Sequence, residues 1–154
     1  MIRKANITDI QNIYDILSRY AADGILLARS LSDLYDQMRD FFVADSPADN
    51  AFEGTCGLHI CWEDIAEIRS LAVLREFQGQ GIGKQLTETC IEEALQLGIN
   101  RVFVLTYVPD FFRRIGFYDV DKSVLPHKVW ADCIKCVKFP NCDEEALMLD
   151  IRKV

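Results

Sequence analysis

Apolar residues recur with the 3.6-residue period of amphipathic helices in four segments of this chain, and runs rich in β-branched and aromatic residues separate these segments. The predicted helices begin after Thr8, begin after Ser30, span Ile82 to Leu97 and span Pro109 to Ile115. The predicted strands are Met1 to Ala5, Phe41 to Ala44, Phe52 to Trp62, Ala66 to Val73, Arg101 to Tyr107, Phe117 to Val120 and Ala146 to Arg152. Helices that alternate with strands predict an α/β fold. Because the sequence has no internal repeat, low-complexity segment or linker, we predict one domain over residues 1–154.

Boundary signals accompany the predicted helices. Thr8 is followed three residues later by Gln11, which predicts a capping box at the start of the first helix. Ser30 predicts the N-cap of the second helix. Gly98 predicts the end of the third helix, and Pro109 suits the first position of the fourth.

The composition, with 50% hydrophobic and 27% charged residues, is typical of a globular protein. A formal net charge of −7 and the lack of a Lys/Arg cluster argue against a nucleic-acid partner. No segment is apolar for long enough to span a bilayer, and residues 1–6 lack the apolar core of a signal peptide. We therefore expect a cytoplasmic protein without a membrane partner, in which the six cysteines are reduced thiols.

The most unusual stretch is "FQGQGIG", residues 77–83, which lies between a predicted strand and a predicted helix. It is not a nucleotide P-loop, because Gln78 occupies the position where that motif needs its first glycine. It is not the dinucleotide fingerprint either, because Lys84 occupies the place of the third glycine. An ordinary glycine-rich turn remains an alternative. The backbone N–H groups at such a helix start can also bind an anion, and Lys84 would reinforce that attraction.

The wider segment "IRSLAVLREFQGQGIGKQLTETCIEEA" resembles the acetyl-CoA-binding region of the GNAT acetyltransferase superfamily. Gln78, Gly81 and Gly83 match its Gln/Arg-x-x-Gly-x-Gly/Ala signature, and Gly116-Phe117 match its later "GF". The resemblance covers essentially the whole chain and implies a mixed, mostly antiparallel central sheet flanked by helices, with acetyl-CoA as the acetyl donor. A homodimer is also in keeping with this family. The implied cofactor-binding residues are Leu71, Ala72 and Val73 for the pantetheine arm, Gln78, Gly79, Gln80, Gly81, Ile82, Gly83 and Lys84 for the pyrophosphate, and Phe111 and Phe112.

Within that superfamily the chain resembles short proteins similar to the acetyltransferase domain of N-acetylglutamate synthase, an enzyme of arginine biosynthesis. The matching stretches are "LLARSLSDLYDQMRDFFV", "GLHICWEDIAEIRSLAV", "RVFVLTYVPDFFRRIGF" and "LPHKVWADCIKCVKFPNCDE". In the first stretch Ala28 replaces the proline that is usual in that group. The resemblance implies acetylation of a small acidic amino acid, L-glutamate first, by direct transfer.

Two arginines suit an acceptor with two carboxylates, because guanidinium binds carboxylate in a bidentate geometry. Arg29 precedes the capped second helix, and Arg69 lies in the middle of a strand. The alternatives are a solvated loop residue for Arg29 and an edge-strand salt bridge with Glu67 or Glu63 for Arg69. The resemblance favours Arg29, Ser30, Arg69 and Ser70 as substrate-binding residues.

Acetyl transfer needs a base for the amine and a proton for the leaving thiolate. Glu67 is the predicted base because it lies two residues from Arg69, on the same face of the strand. Many GNAT enzymes have a tyrosine four residues before the glycine of "GF", but that residue here is Phe112, which has no proton to donate. Tyr107 is therefore the predicted acid, with water as the alternative. A backbone N–H near Val73 would polarise the carbonyl group.

The cysteines and histidines permit other interpretations. Cys133, Cys136 and Cys142 resemble part of a metal site, but a closed zinc site needs a fourth ligand, such as His127 or Cys61. The simpler interpretation is a set of reduced thiols, and no metal is predicted. His59 is predicted to be a core histidine with a satisfied hydrogen bond. The alternative functions are acetylation of another amine, or a non-catalytic module that senses acetyl-CoA, thiols or metal.

Overall fold

The computed structural model describes residues 1–126, 129 and 143–152, and in that part of the chain helices alternate with seven strands. The strands are β1 (Ile2–Lys4), β2 (Phe41–Asp45), β3 (Phe52–Trp62), β4 (Ile65–Val73), β5 (Arg101–Thr106), β6 (Tyr118–Val120) and β7 (Glu145–Asp150). The helices are α1 (Ile10–Ala22), α2 (Leu31–Asp36), α3 (Ile82–Gln96) and α4 (Pro109–Ile115). The predicted α/β class is confirmed.

The seven strands form one sheet in the order β1-β2-β3-β4-β5-β7-β6. Only the β4–β5 pair is parallel, and α3 makes the crossover between these two strands. The sheet is therefore mixed and mostly antiparallel, as predicted. The parallel pairing is short: it joins Ile65–Glu67 to Arg101–Phe103, and no described strand pairs with β4 on this side beyond Glu67. As a result, β4 and β5 separate towards their C-terminal ends.

Alternate residues of a strand point to opposite faces of the sheet, so both faces carry apolar side chains. Helices cover both of these faces. On the first face, Leu58, Ile68 and Val104 pack against α3 and α4. On the second face, Phe41 and Val43 pack against α1. A third apolar cluster contains residues of β3, β4, β5 and β7, namely Cys61, Ile65, Phe103, Ala146 and Met148, together with Leu125 and Val129.

A β-bulge interrupts β4 at Ser70. Thr55 of β3 is opposite Ala72, but Gly57, two residues later, is opposite Arg69, so β4 has one extra residue. Ser70 has φ +57°, the left-handed conformation that non-glycine residues adopt at bulges and strained sites. The extra residue reverses the alternation of side chains. Leu71 therefore packs with the α3 cluster and Ala72 with the α1 cluster.

Two sequence-based predictions of local structure were wrong. The N-terminal cap is Asn6, not Thr8: the Asn6 side chain accepts the Thr8 N–H at 3.0 Å, and the Asp9 carboxylate accepts the Asn6 N–H at 2.8 Å. Asp9 is held there by Arg3, at 2.7 Å, which explains why this box replaces the predicted one. The second helix is shorter than predicted from the helical spacing of its apolar residues, which are Leu31, Leu34, Tyr35, Met38 and Phe41. It ends at Asp36 because the following residues form a 3₁₀ turn that leads Phe41 into β2.

Among the described residues, no helix is both long enough and apolar enough to cross a membrane.

Candidate active site

The glycine-rich loop follows β4 and leads into α3, at the end of the sheet where β4 and β5 have separated. Gly79 and Gly81 have φ values of +80° and +83°, which favour glycine over any residue with a side chain. Gly81 is the N-cap of α3, and no side chain of the described residues caps this helix. The N–H groups of the first helical turn therefore lack intrahelical partners and can bind an anion.

The loop is attached to the end of β4 through Gln78. Its side-chain nitrogen donates to the Val73 carbonyl at 3.0 Å and to the Tyr20 hydroxyl at 3.3 Å. The Tyr20 hydroxyl itself donates to the Val73 carbonyl at 2.5 Å. The Gln78 side chain thus fixes the loop against β4, and its role in binding the cofactor stays a prediction. The position of Tyr20 in an apolar helix stripe gave no signal of this contact.

The two predicted aromatic contacts of the cofactor lie in different environments. The Phe111 ring is half-buried beside Gly83, where a Cβ atom would lie 3.4 Å from Cζ of the ring. Phe112 is only 4% exposed and packs edge-on against Phe117 in the core. The structure therefore gives Phe111 a position next to the loop and Phe112 a position in the core, and a contact of either ring with the cofactor stays a prediction.

The predicted substrate residues Arg29 and Arg69 converge on one atom. Both guanidinium groups donate to Oε1 of Gln37, which lies at the end of α2. Arg29 also lies 3.5 Å from the Ser70 hydroxyl at the bulge. Ser30 caps α2 as predicted, since its hydroxyl accepts the Asp33 N–H at 3.1 Å. The sequence analysis missed Gln37, because its contact with Arg69 joins residues that are 32 apart in the chain.

The charged groups of Arg29, Arg69 and Glu67 are partly removed from solvent, which affects their ionisation and pairing. Arg29 has no carboxylate within salt-bridge distance among the described residues, and burial, followed by the neighbouring Arg69 charge, lowers its pKa from the usual value. Arg69 pairs with Glu67 at 3.3 Å, and both side chains are 14% exposed. The predicted alternative of a salt bridge with Glu67 is thus present, but on a central strand rather than an edge strand.

Among the described residues, Glu67 is the only carboxylate in direct contact with Arg69. Burial raises the pKa of Glu67 above that of an exposed glutamate, against the opposing effects of Arg69, His59 and Arg29. Glu67 and Arg69 lie on the same face of β4, as predicted. A buried carboxylate with a raised pKa beside a cation is a candidate to accept and release a proton.

His59 is not a core histidine, and that prediction was wrong. It lies directly opposite Glu67 in the β3–β4 register, so the two side chains share a face. Its Nδ1 lies 2.7 Å from the Asp40 carboxylate, and its side chain is 20% exposed. Neighbouring residues of a strand point to opposite faces of the sheet. Because Leu58 faces the core, His59 points to the opposite face, which also carries Glu67 and Arg69.

Tyr107, the predicted acid, is half-buried and follows β5 directly. Since β4 and β5 are parallel, it lies at the same end of the sheet as Leu71–Val73 and the glycine loop.

Cys133, Cys136, Cys142 and His127 lie outside the described residues. Cys56 and Cys90 are buried thiols in the core.

The seven-stranded mixed sheet with its flanking helices matches the fold of enzymes that transfer acyl groups from coenzyme A. Residues 10–120 match the model of the acetyltransferase (GNAT) family, and the chain belongs to that family. An uncharacterized N-acetyltransferase of Chlorobaculum tepidum is 41% identical over 96% of this chain and 94% of its own length. An amino-acid acetyltransferase of Mycobacterium tuberculosis is 34% identical over 84% of this chain and 75% of its own length.

A solved structure extends the likeness to the fold. The N-acetylglutamate synthase of Neisseria gonorrhoeae, complexed with coenzyme A and N-acetyl-glutamate, matches 99% of this chain with a TM-score of 0.90 and 26% identity. This chain covers only 35% of that protein. The predicted enzyme class, an acetyl-CoA-dependent N-acetyltransferase, is confirmed by the family match and these relatives.

Proposed function

We propose that this acetyltransferase acts on the α-amine of a small acidic amino acid, with L-glutamate as the first candidate. The observation that carries the proposal is the convergence of Arg29 and Arg69 on the single oxygen of Gln37. Two guanidinium groups side by side repel each other unless an anion lies between them. Glu67 compensates one of them, which leaves Arg29 for a carboxylate of the acceptor.

The relatives support an amino-acid acceptor. The Mycobacterium tuberculosis relative is named an amino-acid acetyltransferase, and the Neisseria neighbour holds N-acetyl-glutamate. In this chain the acceptor carboxylate would take the place of the Gln37 oxygen between the arginines. Ser70 would support it from the bulge, where its hydroxyl already lies near Arg29.

For the donor, we propose that acetyl-CoA lies in the opening between β4 and β5. Leu71, Ala72 and Val73 have no described strand beside them there, so their backbone can pair with the pantetheine arm. The N–H groups of Gly79–Lys84 would hold the pyrophosphate at the start of α3. Phe111 would pack beside the loop. The Neisseria neighbour, which binds coenzyme A, supports this placement.

The proposed chemistry follows from these positions. Glu67 accepts a proton from the α-ammonium group, and the resulting amine attacks the acetyl carbonyl, so that a C–N bond forms and the C–S bond breaks. A backbone N–H near Val73 polarises the carbonyl oxygen. Tyr107 is the proposed donor of a proton to the leaving thiolate, because it lies at the same end of the sheet as the proposed donor site. It regains a proton from the second N–H that the attacking nitrogen loses as the amide forms.

The test is release of CoA thiol from acetyl-CoA with glutamate, aspartate, glutamine, lysine and spermidine as acceptors. We expect turnover on glutamate, and Arg69→Ala should raise its KM about 10- to 100-fold through loss of a charge-assisted hydrogen bond. The matched control is Arg101→Ala, because Arg101 pairs with Asp64 at the same 3.3 Å but near the opposite end of the sheet. Preferred turnover of lysine or spermidine would contradict the proposal, as would equal KM values for Arg69→Ala and the control.

A further inference from the structure

The acetyl transfer itself creates a problem of proton balance at Glu67. An α-ammonium nitrogen loses two protons when it becomes an amide nitrogen, and the CoA thiolate takes up only one of them. One proton must therefore reach solvent in every catalytic cycle. If Glu67 is the base, as proposed above, this proton is left on a carboxyl group whose side chain is 14% exposed.

The structure places a second titratable group directly across the sheet from Glu67. His59 and Glu67 are opposite residues of β3 and β4, and opposite residues of an antiparallel pair have Cβ atoms about 5 Å apart. A single water molecule can carry a proton over such a separation. The exposed fraction of the side chain increases from Glu67 to His59 to Asp40, with values of 14%, 20% and 27%. The direction from Glu67 to His59 is thus also the direction to solvent.

Asp40 determines which nitrogen of His59 can take up a proton. The Asp40 carboxylate lies 2.7 Å from Nδ1, and since a carboxylate only accepts, Nδ1 carries the hydrogen. The neutral ring therefore has its lone pair on Nε2. When Nε2 is protonated, the negative charge of Asp40 compensates the imidazolium. This matters because Arg69 and Arg29 already contribute two positive charges to the cluster.

We propose that His59, oriented by Asp40, receives the reaction proton from Glu67 and passes it to solvent. His59 is then a positioning and relay residue for the base, and of these two residues only Glu67 contacts the acceptor amine. The charged groups that face this pair among the described residues are Arg69 on β4, Arg29 before α2 and Asp40 before β2. None of them can replace His59, because an arginine cannot be deprotonated near neutral pH and Asp40 is already bonded to the ring.

The relay makes a kinetic prediction that a purely structural role does not. When the first turnover is started at a pH above the pKa of Glu67, the carboxylate is ionised and can accept a proton whether or not His59 is present. In later turnovers the Glu67 carboxyl group must first lose the proton from the previous cycle, and this loss is slow without His59. His59→Gln should therefore show a rapid burst of about one CoA per active site, followed by a steady-state kcat lowered roughly 10- to 100-fold. The KM values should fall by a similar factor, because the slow step follows CoA release, and kcat/KM should change little.

The experiment is rapid-quench measurement of CoA release by the full chain, with whichever amine of the acceptor panel is acetylated fastest. Asp40→Asn should give a smaller loss of kcat, because the ring remains but loses its orientation. Asp15→Asn is the matched control, since Asp15 also accepts a hydrogen bond, at 2.9 Å from Gln11, but on the exposed side of α1. In His59→Ala, added imidazole should restore the steady-state rate by replacing the missing ring.

The outcomes separate this inference from the proposed function. A kcat for His59→Gln within twofold of the wild type would overturn the relay. A slow first turnover without a burst would also overturn it, because His59 would then act in the chemical step or in folding. Failure of glutamate as an acceptor would refute the proposed substrate only, because the proton balance is the same for any α-amine.

Discussion

Replacement of Glu67 by glutamine isolates the charge of the proposed base from its shape. The variant side chain has the same size and can still hydrogen-bond to Arg69, which now lies 3.3 Å away. A positioned general base contributes about 10²- to 10⁴-fold to a rate. Because Arg29 and Gln37 are left unchanged, the loss should appear in kcat, with KM for glutamate changed by less than about fivefold, or roughly 1 kcal/mol of binding.

The pH dependence provides a second measurement on the same variant. Burial raises the pKa of Glu67, so the wild-type kcat/KM should fall on the acidic side at a pH above the usual titration range of an exposed glutamate. In Glu67→Gln this acidic limb should disappear. The control is Glu63→Gln, because Glu63 is exposed in the turn after β3. A kcat within threefold of the wild type, or an unchanged acidic limb, would refute the assignment of Glu67 as the base.

Stability should move in the opposite direction to activity. A carboxyl group whose pKa is raised on folding binds protons more tightly in the folded state. Its favourable contribution is therefore present at low pH and is lost as the pH rises through the folded pKa. Above that pH the ionised Glu67 costs stability, and glutamine removes this cost. At pH 8 the melting temperature of Glu67→Gln should be equal to or above that of the wild type, measured by calorimetry.

Three further substitutions test the loop, the arginine pair and the bulge. Gly81→Ala should cost about 1–2 kcal/mol of stability and raise the KM for acetyl-CoA roughly tenfold. The control is Gly98→Ala, because Gly98 has φ +87° at the other end of α3. It should cost similar stability and leave the KM for acetyl-CoA unchanged. Gln37→Glu should raise the KM for glutamate at least about tenfold, since its carboxylate would occupy the space between the two guanidinium groups; an unchanged KM would contradict the proposed carboxylate site. Gly54→Ala should lower the free energy of unfolding by about 1–3 kcal/mol in urea denaturation, because its Cβ would lie 2.7 Å from the Ala72 carbonyl oxygen, and a stability equal to the wild type would show that β3 and the bulge can shift apart.

The sequence predicts those parts of the site that depend on local pattern. The glycines of the loop have positive φ values that few other residues adopt, so their spacing alone indicates an irregular helix start. Glu67 and Arg69 share a face because strand residues two apart do so where no bulge lies between them. The fold class also follows from the order of helical and strand periods. Each of these features involves residues near one another in the chain.

The missed features depend on contacts between distant segments. Gln37 and Arg69 are 32 residues apart, and His59 and Asp40 are 19 apart. No periodic pattern connects such pairs, because the contact is created by the pairing register of β3 and β4 and by the turn before β2. His59 was misassigned for this reason. Its strand is apolar on one face only, and the sequence does not state which face carries the active site.

The bulge at Ser70 has a consequence for the whole site. Before it, β4 directs Glu67 and Arg69 to the face that carries the polar cluster, and after it, Leu71 and Val73 turn to the face covered by α3. One strand can therefore present catalytic side chains and, a few residues later, the backbone that is proposed to hold the donor. Glycine would adopt φ +57° with less strain than serine. The serine hydroxyl, however, lies 3.5 Å from Arg29, and glycine has no atom to offer there. The strain at this position thus coincides with a contact to the proposed carboxylate site, which is where stored backbone strain is expected in an enzyme.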